Sequence, residues 1–103
     1  MWVRVARFEG GTAEGLEAEM ARSKQVLEEF RGDGLPPGLE GVTRVTEAIN
    51  RAEGTGLAII FCDTEADMLK ADEALNNMSP PAEASGRRAS VGVYEVMHDK
   101  DMA

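Results

Sequence analysis

Gly56-Leu57-Ala58-Ile59-Ile60-Phe61-Cys62-Asp63, followed by Thr64, is the most apolar run in the chain. Both of its alternating sets are apolar: Leu57, Ile59 and Phe61 on one side, Ala58, Ile60 and Cys62 on the other. A strand with one wet face alternates apolar with polar, so this run predicts a central strand covered on both sides. The two helix candidates suffice for one side of a sheet. Something else has to cover the other.

Upstream, Arg51 to Gly56 reads as a turn, and Gly41 to Asn50 as the second strand, joined to this apolar run in a hairpin. That strand is β-branched but more polar, which suits a sheet edge. Before it, Asp33 to Gly41 contains Pro36-Pro37 and reads as a loop. Thr12 to Arg31 predicts a helix capped by Thr12 and stopped at Gly32, with Leu16, Met20, Ser23, Leu27 and Phe30 as one stripe. Trp2 to Glu9 reads as an opening strand broken by Gly10-Gly11.

Downstream, Thr64-Glu65-Ala66-Asp67 resembles a capping box and opens a helix to about Met78, striped by Met68, Ala71, Asp72, Leu75 and Met78. Ser79-Pro80-Pro81 ends it, Ala82 to Ala89 is a polar loop, and Ser90 to Met97 is the last strand. Residues 1–98 form one domain and 99–103 a polar tail.

The order β-α-β-β-α-β closes most simply as a ferredoxin-like α+β fold: an antiparallel sheet, order 4-1-3-2, with both helices on one face. The more polar second and fourth strands then fall at the edges. Leaving four or five large apolar side chains of the open face in water would forgo about 1.5–3 kcal/mol each. A second copy, sheet against sheet, is the economical cover, so a homodimer is expected. The competing arrangement is a monomer in which Leu35 and Leu39 of the Asp33–Gly41 loop fold over that face.

The 103 residues include 11 basic and 19 acidic side chains, a net charge of -8. That balance excludes a nucleic-acid binder, which needs clustered Lys and Arg, and disfavours anionic membranes. No apolar run approaches the ~20 residues of a bilayer span. The opening Met1-Trp2-Val3-Arg4 lacks the features of a signal peptide, and the single Cys62 suits a reducing compartment, so a cytoplasmic protein is expected.

Arg4 carries the most information about a site, being a cation in a central strand. Facing a cavity, it needs a partner: Glu47, Glu95 or an anionic substrate. The competing reading is an inter-subunit salt bridge, or a stem lying across apolar surface with its head in water. Arg44 sits at an edge and keeps the same choice. Tyr94 could donate to a ligand carbonyl or enolate, or pack at an interface; Trp2 could serve as a ring platform or as core. His98 sits beside the tail and reads as solvated. No metal-ligand pattern, phosphate loop or nucleophile elbow is present, so no metal or cofactor is expected and no catalytic residue is assigned.

The strand Trp2–Gly10 (WVRVARFEG), the entry Pro37–Val42 (PGLEGV), the junction Gly54–Met68 (GTGLAIIFCDTEADM) and the strand Val91–Val96 (VGVYEV) together resemble the dimeric α/β-barrel superfamily, in its antibiotic-biosynthesis-monooxygenase-like branch. The resemblance implies a small homodimer. Members similar to it oxidise quinone-type aromatics without metal or flavin, degrade haem or isomerise small rings. The haem-degrading pattern, with Asn on the first strand and Trp and His near the second helix, is absent. Trp2, Arg4, Arg44 and Tyr94 are the residues by which a cofactor-free oxidation of a small aromatic or quinol-like compound would be supported, Arg4 or Arg44 steadying an oxyanion and Tyr94 orienting the ring. A non-catalytic ligand-binding or dimerisation module is the alternative.

Overall fold

The computed structural model describes residues 1–29, 35–78 and 86–103. The elements are β1 (Trp2–Glu9), α1 (Ala13–Glu29), β2 (Val42–Asn50), β3 (Thr55–Cys62), α2 (Glu65–Asn76) and β4 (Arg87–Glu95). They form one antiparallel sheet of order β2-β3-β1-β4, the 4-1-3-2 arrangement expected from the element order. The apolar run is β3, hydrogen-bonded to β1 on one side and β2 on the other. No helix among the described residues is long and apolar enough to cross a membrane.

Local chemistry sets the helix starts. The Thr12 hydroxyl accepts from the Gly15 N–H at 3.0 Å, and the Thr64 hydroxyl accepts from the Asp67 N–H at 3.1 Å. Each satisfies a donor that the first helical turn leaves without a partner. Several boundaries differ from the sequence reading. Thr55 and Gly56 belong to β3, because Asn50 to Gly54 closes the hairpin earlier: the Gly54 N–H donates to the Asn50 carbonyl at 3.0 Å, with Gly54 at φ +66°. The second helix ends at Asn76, where the Asn77 N–H turns back to Glu73 and Leu75 carbonyls. β4 starts at Arg87, three residues early, because a register shift between Arg7 and Phe8 lets Arg87 and Arg88 pair with Glu9 and Phe8. A polar edge strand carries no clean alternation by which to read its start. The expected stops at Gly32 and at Ser79-Pro80-Pro81 lie outside the described residues.

The two parities of the sheet meet different surroundings. Gly56, Ile60 and Cys62 of β3 face the helices, with Met68 and Ala71 of α2 packed against Ile60 and Cys62. Gly56 admits α1 closely: a Cβ there would stand 3.1 Å from Leu16 Cδ2 and 3.3 Å from Met20 Cε. Val3, Val5, Leu57, Ile59 and Phe61 point to the opposite face, where each is half-buried. No described element covers that face. Leu39 packs against the helix-side core, and Leu35 and Pro36 border a cavity on the same side, so this part of the loop does not fold over the open face. On that face the Tyr94 ring folds back along β4, so that a Cβ on Gly92 would stand 2.6 Å from its Cε2.

Met68 has no exposure and is among the largest fully buried side chains. Truncating it removes transfer free energy and leaves a void. Met68→Ala should lower the free energy of unfolding in urea by about 2–5 kcal/mol, with an unchanged denaturant slope. A loss below ~1 kcal/mol would place the core elsewhere.

Candidate functional site

A cavity of about 1070 Å³ lies between the helix-facing side of the sheet and the two helices. Its floor follows from residue size. In the β1–β3 ladder Ala6 stands opposite Ala58, so two small side chains are neighbours where the adjoining pair, Arg4 and Ile60, is large. α1 contributes Ser23, Val26 and Leu27 to the walls, α2 contributes Leu75 and Asn76, and Val45 and Phe8 close the sides. The lining is mostly apolar, with polar groups from two directions.

The first polar group is Arg4, only 4% exposed. Its Nε donates to Asp72 Oδ1 at 2.8 Å, and its Nη2 donates to Asn76 Oδ1 at 2.8 Å. Asp72 and Asn76 are four residues apart and so share one face of α2. The partner of the buried cation is therefore this helical pair, where the sequence reading offered Glu47 or Glu95. Two of the five guanidinium N–H groups are engaged this way. The buried charge is met by a carboxylate and an amide, as burial demands. Asn76 retains its amide N–H₂ as a donor.

The second is Glu47, half-buried on β2 and opposite Ala58. Burial holds its carboxyl above the ordinary carboxylate range; a hydrogen bond from Ser23 opposes this, and the charge of Glu19 adds to the rise. Arg22, which also borders the cavity, is engaged with Glu19 at 2.6 Å. The signal for Glu47 was present in the strand: Val45, Glu47 and Ile49 share a parity, so a lone acid sits between two apolar neighbours on the inward side. Asn76 and Ser23 are visible only once the helices are docked.

The four residues singled out from the sequence separate. Arg4 and Arg44 border the cavity. Arg44 also places its guanidinium carbon 5.8 Å from the centre of the Phe61 ring, so its charge is engaged at the sheet edge. Trp2 packs against the Ile60–Met68 core and not on the cavity, and Tyr94, 58% exposed, stands on the opposite face of the sheet. Cys62 is fully buried, and burial together with Asp67 and Asp63 pushes its thiol up, which suits inert packing. The described residues contain no cluster of three or more His, Cys, Asp or Glu able to hold a metal.

Glu47 generates a pH dependence of stability. Its folded-state pKa lies above its ordinary value of 4.5, so its favourable contribution is complete below that value and is lost as pH rises through the folded pKa. Glu47→Gln removes this loss. The melting temperature of Glu47→Gln minus that of the wild type should therefore become more positive from pH 4 to pH 7.5. A difference flat across that range would mean Glu47 is solvated in the folded chain.

No protein-family model and no curated protein sequence matches the chain. One solved structure is similar: a candidate antibiotic biosynthesis monooxygenase from Deinococcus radiodurans, 12% identical, with a TM-score of 0.58 over 100% of this chain and 99% of that one. At that identity the likeness is one of fold. The chain and that structure share a ferredoxin-like βαββαβ fold.

Proposed function

We propose that the protein is a small cytoplasmic homodimer that admits a small aromatic or quinol-like compound to the cavity between sheet and helices and oxidises it with dioxygen, as a cofactor-independent monooxygenase-like enzyme. The observation that carries the reading is the cavity itself: about 1070 Å³ of mostly apolar space into which Arg4, Asn76 and Glu47 project. Apolar walls suit a flat ring, and a few converging polar groups fix its orientation. A ring oxyanion would rest against the free N–H groups of Arg4, whose position Asp72 and Asn76 hold. Tyr94, on the far face, takes no part in a site built from one chain.

The dimer is supported by the open face. Val3, Val5, Leu57, Ile59 and Phe61 form an apolar patch that Leu35 and Leu39 do not cover. A second copy by two-fold symmetry would bury the same patch on both partners. Sedimentation at micromolar concentration should give twice the 11.1 kDa chain mass, and Ile59→Lys should return it toward one chain. A single-chain species for the wild type would remove the dimer.

The enzyme reading is tested by incubating the protein with a panel of hydroquinones under oxygen. Wild type should consume oxygen above buffer. Arg4→Ala should lose on the order of 10²-fold in rate, the scale for one oxyanion donor. Ala58→Leu, which fills the floor, should abolish binding, while Tyr94→Phe leaves the rate unchanged. Binding without turnover across the panel would make the cavity the site of a non-catalytic ligand-binding module. Neither binding nor turnover would overturn both.

A further inference from the structure

Arg4 and Glu47 occupy the same inward face on strands separated by β3, Arg4 level with Ile60 and Glu47 with Ala58, which puts their backbones about 12 Å apart on the diagonal. Between them on β3 lie Ile60 and Ala58, and Ala6 stands beside Ala58. One end of the cavity is thus a fixed donor set, Arg4 with Asn76. The other is a carboxylate. Apolar surface joins the two.

The groups that face Glu47 set its chemistry. From α1 come Ser23, Glu19 and Arg22, the last held by Glu19. Arg4 on β1 is held by Asp72 and Asn76 of α2, Arg44 on β2 stands over Phe61, and Arg88 on β4 donates to the Leu75 carbonyl at 3.4 Å. Each of these arginines is therefore engaged elsewhere, and among the described residues the side chain that hydrogen-bonds to Glu47 is the neutral hydroxyl of Ser23. A carboxylate so placed is a proton acceptor with no ion pair among the described residues to hold it in the charged form.

Resting on the cavity as the ligand site, we propose that Glu47 is the general base of this site and that the ligand class is a phenol carrying a second hydrogen-bond acceptor across the ring. The acceptor rests on Arg4 and Asn76, and the hydroxyl faces Glu47. The ligand O–H bond breaks, its electron pair stays on the phenolic oxygen, and the proton passes to the Glu47 carboxylate. The products are a phenolate and a neutral carboxylic acid; this step moves no electrons between oxidation states and needs no co-reactant. The buried acid formed is stabilised by the same desolvation that disfavours its anion.

4-Nitrophenol is the probe, since its phenolate absorbs at longer wavelength than the phenol and its nitro group is an acceptor across the ring. It is titrated with wild type, Glu47→Gln and Ala58→Leu at a pH one unit below that at which the free phenol is half ionised. Wild type should bind saturably, with a bound phenolate fraction several-fold above that of Glu47→Gln; Glu47→Asp should restore part of the difference, and Ala58→Leu should not bind. Saturable binding with equal phenolate fractions in wild type and Glu47→Gln overturns the base and leaves the cavity reading standing. No saturable binding to wild type overturns both.

Discussion

A cation inside the sheet–helix layer governs the arrangement of this protein. Arg4 is almost wholly removed from water on a central strand, and an unpaired charge there would cost several kcal/mol. The cost is offset only if α2 lies where Asp72 and Asn76 can reach the guanidinium. The pairing therefore fixes the position of α2 over β1 as firmly as the apolar packing of Met68 and Ala71 does. α1 is placed independently, by Leu16 and Met20 closing on Gly56. With each helix anchored at its own point and two alanines between, the layer cannot close completely. The cavity is what remains between two separately fixed helices.

The fold was legible because several local signals agreed. The doubly apolar β3, the capping threonines at positions 12 and 64, and the stripes on both helices all specify the same βαββαβ order. What failed were edges. Arg87 to Ala89 read as loop because polar residues at a sheet margin carry no burial pattern, and their strand character depends on a register shift in β1 that no local pattern announces. Thr55 and Gly56 read as turn because Gly is a weak strand former. Its presence is explained by the helix above it, a contact between residues far apart in sequence.

The site was less legible than the fold, for a related reason. A residue's parity can be read from a strand, but which parity faces the helices depends on the assembled sheet. Arg4 reads from the sequence as a cation on a central strand, but its burial depends on the assembled layer, and its partners lie 68 and 72 residues away on α2, beyond what a local pattern can choose. Tyr94 was an attractive aromatic, but its pairing with Val3 puts it on the face away from the cavity. From the sequence Glu47 reads only as a counter-ion for Arg4, although its position between Val45 and Ile49 puts it on the apolar parity of its strand.

Trp2 and Tyr94, the chain's single tryptophan and single tyrosine, lie on opposite sides of one sheet, on neighbouring strands. The indole is embedded in the helix-side packing, whereas the phenol lies over Gly92 on the apolar outer surface. Nature has in effect wired two optical channels into the molecule. Indole emission reports the integrity of the interior, phenol absorbance reports what touches the outer surface, and no label need be attached to follow either separately.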